Sequence, residues 1–524
     1  MRLLLPCFLL LTLLAACAPS DTTTHGATPP TRPNILIILA DDMGYSDLGC
    51  YGSEIRTPHL DQLAAQGVKF RRFYNAARCC PTRASLLTGL YPHQAGMGKM
   101  VVDADTPREP GPYAGYLTPQ SVTLAEALRD TGYATYMAGK WHVGEHPDFW
   151  PRRRGFDRYF GLISGASSYF ELVDERPRVR YMVHDDSLWY PPDSGFYMTD
   201  AFTDSTINFL QTHLDEKPSQ PFFCYLAYNA PHYPLHALPD DIARYEGVYN
   251  MGWDSLRAQR HRQQIASGLL DSTYLLSPRP DDLAAWADTT DQTEWARRMQ
   301  VYAAMVDRMD QGIGKIVEML RQHDALENTI IFFLSDNGGC AEDISGRNLH
   351  DPTVPIGLRG SYVAYREPWA NASNTPYRRY KAWTNEGGAI TPMIVHWPQG
   401  LTQTGVTLQG IGHVVDLMPT CLALAEASYP TVHHGETIPP MAGHDLLPIL
   451  RGEDNSAHRE IGWEHFGRKA YRQGKWKLVD ELNGWELYDL EADPTELHNL
   501  ATEQPERLQQ MVDLYEAWAQ KVGV

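Results

Sequence analysis

Four short polar clusters in this chain each follow an apolar run. Asp41-Asp42 follows Asn34-Ile35-Leu36-Ile37-Ile38-Leu39-Ala40, and Lys140 and His142 follow the run from Ala134 to Ala138. His232 follows Phe222 to Tyr228, and Asp336-Asn337 follows Thr329 to Leu334. In open α/β sheets, sites form beyond the carboxyl ends of the strands. Three acids and an amide are hard oxygen ligands, better suited to Ca²⁺ or Mg²⁺ than to a soft metal. Neighbouring carboxylates repel one another unless a cation sits between them. Taken singly, each cluster has an ordinary reading: Asp41-Asp42 also suits a strand-to-helix cap, and Asp336-Asn337-Gly338-Gly339 a turn. Four with complementary chemistry argue for one shared site.

The elements that would carry these clusters are legible in the pattern. Residues 34–40 are apolar without alternation, as in a strand buried on both faces of a parallel sheet. Residues 57–66 read as a helix ended by Gly67, and Thr123-Leu124-Ala125-Glu126 has capping-box spacing. Strands are predicted at Ala134–Ala138, Phe222–Tyr228, Thr329–Leu334 and Met393–Trp397, with a long amphipathic helix over Glu294–Arg321. Helix and strand alternate, so the fold class is α/β with a large, mostly parallel sheet flanked by helices. Residues 239–292 lack a clean period and read as an insertion, and 341–385 as loops. After about residue 455 the texture changes. Ala470–Val479 and Trp485–Leu490 read as two strands of a smaller antiparallel sheet, and 504–520 as a closing helix.

Composition is that of a globular protein: 43% hydrophobic and 21% charged over 524 residues. The net charge of −19 disfavours a nucleic-acid partner, because phosphate contacts require a basic footprint. Residues 1–16 read as an export signal: Arg2, then an apolar run, then Leu14-Ala15-Ala16-Cys17, which resembles a bacterial lipobox. A lipid on Cys17 would anchor the protein to a membrane of the bacterial envelope, periplasmic or surface-facing, with residues 17–33 as tether. Of the eight cysteines, none form a CxxC pair. Cys50, Cys224 and Cys421 read as buried thiols, and the adjacent Cys79-Cys80 as a vicinal disulfide, a buried thiol or something more specific.

The segment Cys79-Cys80-Pro81-Thr82-Arg83-Ala84-Ser85-Leu86-Leu87-Thr88-Gly89 resembles the signature of the type I, formylglycine-dependent sulfatases, in the bacterial arylsulfatase branch. Alignment on Pro81 and Arg83 makes Cys79 the modified position; Thr82 stands where serine is commoner. Gly139-Lys140-Trp141-His142-Val143-Gly144, Ala230-Pro231-His232 and Ser335–Gly339 resemble later motifs of that family. Lys381, five residues before Glu386-Gly387-Gly388, resembles its second active-site lysine, although Ile390 replaces an arginine common in one variant. The resemblance implies an alkaline-phosphatase-like catalytic domain over 34–455 and a C-terminal subdomain over 456–524. It implies hydrolysis of an aryl or carbohydrate sulfate ester to alcohol and inorganic sulfate. A maturase would convert Cys79 to formylglycine, whose hydrate attacks sulfur to give a sulfated enzyme and then expels sulfate. Asp41, Asp42, Asp336, Asn337 and the modified Cys79 would hold one Ca²⁺. Arg83 and Lys140 would orient the hydrate, Lys381 and His232 would face the sulfate, His232 would protonate the leaving group, and His142 would be the eliminating base. His236 and His413 are left as structural.

Three alternatives carry different chemistry. A two-zinc phosphatase or phosphodiesterase on the same scaffold needs more His and Asp ligands and a Ser or Thr nucleophile. A phosphonate monoester hydrolase shares formylglycine. A non-catalytic envelope lipoprotein would leave Cys79 a thiol.

Overall fold

The computed structural model describes residues 32–175, 178–453 and 460–524. The signal, nearly all of the tether and the expected domain boundary near 455 lie outside these residues. Ten strands form the main sheet: β1 (Asn34–Ala40), β2 (Val68–Tyr74), β3 (Ala134–Gly139), β4 (Arg158–Leu162), β5 (Met182–His184), β6 (Ser187–Trp189), β7 (Phe222–Ala227), β8 (Thr329–Ser335), β9 (Met393–His396) and β10 (Val406–His413). Their spatial order is β10-β2-β9-β8-β1-β7-β3-β4-β5-β6. The central run β8-β1-β7-β3-β4 is parallel throughout, whereas β9 is antiparallel to both β2 and β8.

The unalternating β1 sequence has its reason in two cores. Leu36 and Ile38 pack into the cluster on one face, and Ile35, Ile37 and Leu39 into the cluster on the other. Successive side chains of a strand point to opposite faces, so a sheet covered twice needs apolar residues at every position. The Gln292–Gln322 helix covers one face, with Tyr302, Met305, Val306, Met309, Ile313 and Ile316 buried. Thr123 caps Leu124–Asp130 through the capping box its spacing predicts.

The insertion contains order that hydrophobic periodicity does not reveal. It holds a Gly252–Ala266 helix whose buried face includes Arg257, Arg260 and Gln264. Arg260 pairs with Asp47 at 2.6 Å and Glu54 at 2.8 Å, so buried charge joins Trp253 and Leu256 in docking this helix. The 341–385 stretch is mostly loop but contains the Arg366–Ser373 helix.

After a two-strand ribbon, β11 (Val432–His433) and β12 (Glu436–Thr437), comes a four-strand antiparallel sheet. Its strands are β13 (Glu460–His465), β14 (Arg468–Gln473), β15 (Trp476–Asp480) and β16 (Trp485–Asp489). The Ala470–Val479 run is therefore a hairpin, not one strand: Gly474, at φ 60°, makes the turn that periodicity alone missed. The closing helix, Pro505–Val522, packs Met511, Tyr515 and Ala519 on this sheet. Among the described residues, no helix is long and apolar enough to cross a membrane.

Candidate active site

The sequence-predicted residues converge at the carboxyl ends of β1, β3, β7 and β8, on the helix that follows β2, and on the loop that carries Lys381. Two close backbone approaches set the geometry. A Cβ on Gly139 would lie 1.9 Å from the Ala227 carbonyl, so glycine alone lets β3 end against β7, where Lys140 N–H donates to that carbonyl at 2.7 Å. A Cβ on Gly338 would lie 1.9 Å from the Gly387 carbonyl, which seats the Asp336-Asn337 turn against the loop carrying Lys381. Asp42 and His142 themselves sit in the left-handed region, at φ 66° and 56°. Residues held there cluster at functional sites, where the surrounding structure over-determines them.

Cys79 opens the Cys79–Thr88 helix, all ten residues of which are buried. Cys79 lies in the first turn, where unpaired N–H groups and the dipole favour negative charge. One turn on, Arg83 Nε donates to Asp336 Oδ2 at 3.0 Å and Nη1 to the Lys140 carbonyl at 3.0 Å. Lys140 Nζ donates to Asp41 Oδ2 at 2.6 Å, and Lys381 Nζ to Asp42 Oδ2 at 2.8 Å. Asn337 Nδ2 donates to Asp42 Oδ1 at 2.7 Å, and Asp42 N–H to Asp336 Oδ1 at 3.1 Å. His232 Nε2 lies 3.5 Å from Asp42 Oδ2, while its Nδ1 is 2.6 Å from the Tyr233 carbonyl. That carbonyl can only accept, so Nδ1 carries a proton and Nε2 is the nitrogen free to exchange one.

Electrostatics divides the labour. A hydrogen bond from Cys80, helped by Lys140, His142 and Lys381, outweighs burial and holds the Cys79 thiol well below its ordinary range. Burial pushes the Cys80 thiol up. Burial would raise Asp42, but Lys381 and His232 outweigh it and hold the carboxyl low. Burial raises Asp41 and Asp336 despite their basic neighbours. His142 is driven down to about 3 by burial and Lys140, and His232 to about 3 by burial against the pull of Asp42. Both imidazoles are therefore neutral in the free protein at pH 7.

The acids fit a hard cation. Asp41 Oδ1 and Asn337 Oδ1 are buried without a hydrogen-bond partner, and the nearest Arg83 nitrogen is 3.7 Å from the former. Asp336 and Asn337 stand beside Asp42 through hydrogen bonds, so the cluster is rich in the hard oxygen donors such a cation takes. Asp41, Asp42 and His232 also bring ligand atoms within 4.8 Å of one another.

Comparison with known proteins bears on this geometry. The family model "Sulfatase" matches residues 33–427, and "N-sulphoglucosamine sulphohydrolase, C-terminal" matches 379–520. The chain belongs to the sulfatase family. It is 34% identical to an arylsulfatase of Klebsiella aerogenes, over 83% of this chain and 96% of that one. It is also 34% identical to an uncharacterized sulfatase of Schizosaccharomyces pombe, over 94% of each chain. The solved structure of Ps i-CgsB superposes with a TM-score of 0.69 at 28% identity, covering 93% of both chains. The alkaline-phosphatase-like architecture is thereby established, and the protein is a sulfuric ester hydrolase.

Around the sulfatase centre stands a second ring of residues that sequence reasoning did not single out. Arg78 pairs with Glu342 at 2.9 Å. The Tyr233 hydroxyl donates to Glu342 at 2.8 Å and accepts from Arg347, which pairs with Glu175 at 2.6 Å. Lys381 Nζ lies 5.9 Å from the centre of the Tyr233 ring. Lys381 and Arg78 together hold the Glu342 carboxyl down at about 2. Arg78 and Tyr233 adjoin Cys79 and His232, an adjacency that was a usable signal. His465 had none: it enters from β13, buried, with neither ring nitrogen hydrogen-bonded. Burial and Arg78 drive it to about 3.

His236 is structural, its Nε2 2.5 Å from the Ser361 carbonyl and its Nδ1 accepting from Tyr169 N–H. His413 caps the turn at Val415. The six described cysteines are free thiols, so Cys79 and Cys80 are not a vicinal disulfide; Cys224 and Cys421 are buried, whereas Cys50 is only partly so.

Proposed function

We infer that this sulfatase works through formylglycine at position 79 and one Ca²⁺, and that its natural substrate is a sulfated carbohydrate. Support for the first part is the low-lying Cys79 thiol in a motif-matching helix, ringed by Lys140, His142 and Lys381. Support for the cation is the buried cage of Asp41, Asp42, Asp336 and Asn337 with its orphaned oxygens. Calcium held there with residue 79 would offset charge on the sulfate and acidify the hydroxyl at that residue. Formylglycine supplies, as its hydrate, a nucleophile that can be restored without a second attack at sulfur.

The encoded side chains supply the rest. Lys140 and Lys381 present cations to the SO₃ group, and Arg83 keeps Asp336 in place. Neutral His142 is poised to take a proton at residue 79. His232, fixed by the Tyr233 carbonyl, offers Nε2 to the bridging oxygen, and Asp42 stabilises the imidazolium before the proton is given up.

The observation that carries the substrate class is the outer ring of paired charges, Arg78–Glu342 and Arg347–Glu175, with Tyr233 between them. Polyhydroxylated rings need such directional donors and acceptors, whereas a plain aryl group needs an apolar wall. A relative points the same way: the structure of Ps i-CgsB was also solved in complex with k-i-k-neocarrahexaose. The test compares kcat/KM for sulfated oligosaccharides and nitrophenyl sulfate by release of inorganic sulfate. At least one saccharide should exceed the aryl ester; uniform preference for aryl sulfates refutes the assignment. Peptide mass spectrometry over residues 73–83 tests the aldehyde directly.

The Leu14-Ala15-Ala16-Cys17 segment supports residence in the bacterial envelope as a lipoprotein. Palmitate labelling that Cys17→Ser abolishes checks it.

A further inference from the structure

Beside the oxygen cage lies a second constellation of opposite chemical character. Cys79 Sγ, Cys80 Sγ and a ring nitrogen of His142 lie within 4.8 Å of one another, and all three residues are buried. The two cysteines are consecutive in the first turn of one helix, and both are free thiols. His142 reaches them from the end of β3. Its ring is buried, and its Nδ1 has no hydrogen-bond partner. Two sulfurs and a neutral imidazole are soft ligands, which select Zn²⁺ or Cd²⁺ over Ca²⁺. The nearby ammonium groups do not forbid a cation here, since Lys140 and Lys381 are each matched by a carboxylate at 2.6 and 2.8 Å.

We propose that the unconverted chain, with a thiol at position 79, holds a soft divalent ion such as Zn²⁺ between Cys79, Cys80 and His142. Binding would take both sulfurs as thiolates, releasing whatever protons they carry, and leave a fourth position open. Conversion of Cys79 to an aldehyde removes one of the two sulfurs and with it the site. The same pocket therefore takes either a soft ion before conversion or the oxygen chemistry of the enzyme after it. Folded molecules that escaped conversion would carry a capped thiol. The site uses only encoded side chains and does not depend on the enzyme being active.

The experiment uses the full chain produced without a maturase, with the thiol at 79 verified by peptide mass. Co²⁺ is the probe, in excess Ca²⁺ to fill the oxygen cage, and Zn²⁺ is the competitor. One Co²⁺ per chain should bind, with thiolate-to-cobalt charge-transfer absorption that Zn²⁺ discharges. Cys80→Ser and His142→Gln should each weaken binding by about 10–100-fold or more, since even outer-sphere partners are worth that much. The chain converted by co-expressed maturase, which needs no substitution, should lack the absorption. Binding without sulfur charge transfer would place Co²⁺ on Asp41, Asp42 and His232 and overturn the proposal. So would an unchanged signal in Cys80→Ser or in the converted chain, or no binding at all.

Discussion

Lys477→Met should separate the anchoring of the C-terminal subdomain from surface electrostatics. Lys477 Nζ lies 2.6 Å from Glu386 Oε1 and 2.9 Å from Glu496 Oε1, and all three side chains are at most 2% exposed. Glu386 also accepts from the Tyr74 hydroxyl at 2.8 Å, which Arg472 contacts, and its N–H donates to Glu496. At an effective dielectric of about 20, each ion pair is worth about 6 kcal/mol of attraction. Desolvation of the ammonium offsets several kcal/mol of that. Removal of one partner from such a group costs about 3–5 kcal/mol, because two carboxylates are left buried beside each other. The Lys475–Asp489 pair, at 2.6 Å with Lys475 40% exposed, is the control: Lys475→Met should be close to neutral. Equilibrium unfolding in urea measures both. Adding Glu496→Gln to Lys477→Met should restore about 1–3 kcal/mol by removing a stranded charge. Glu386 opens the short helix after Lys381, so kcat/KM for an aryl sulfate should fall about tenfold as that lysine loses its seat. A Lys477→Met protein no less stable than Lys475→Met would refute the reasoning.

Four further outcomes follow from the same structure. Cys79→Ala should lose more than about 10⁴-fold in kcat while stability shifts by about 1 kcal/mol, measured by sulfate release and urea unfolding; retained turnover rejects the nucleophile. Asn337→Ala should weaken Ca²⁺ binding by at least about tenfold, read by isothermal titration, because it deletes an orphaned buried oxygen from the cage. His232→Gln should cost far more with an alkyl or sugar sulfate than with nitrophenyl sulfate, whose leaving group needs little protonation; equal losses would contradict the acid role. Burial and Arg321 hold His396 at about 4, below the ordinary 6.5. The unfolded chain therefore takes up its proton first, and stability falls as pH drops from 6.5 towards 4, by about 3 kcal/mol in total. His396→Gln should flatten that part of the stability curve, and an unchanged slope would show the ring to be less shielded.

Several features were legible because they are local. A strand between two covered faces must be apolar at every position, so β1 declares itself in seven residues. Residues just past parallel strands lie at the same end of the sheet, which is why Asp41, Lys140, His232 and Asp336 could be grouped. Other features were not legible, because their reasons lie far along the chain. The Gly252–Ala266 helix hides its period because Arg260 buries against Asp47, 213 residues away. The Ala470–Val479 run hides its turn because both arms are equally strand-like, and only a left-handed Gly474 breaks it.

By its own pattern, the sequence determined the two-faced parallel sheet and the polar clusters that end its strands, and the resemblance carried by the Cys79 motif named the side chains expected around them. Tertiary structure alone decided which cation meets which carboxylate, that Cys80 and His142 share a pocket with Cys79, and that His465 arrives from a separate sheet. The physical reason is range. Periodicity and capping act over one or two turns of chain, whereas buried charges find partners only when distant loops are pressed together and water is gone.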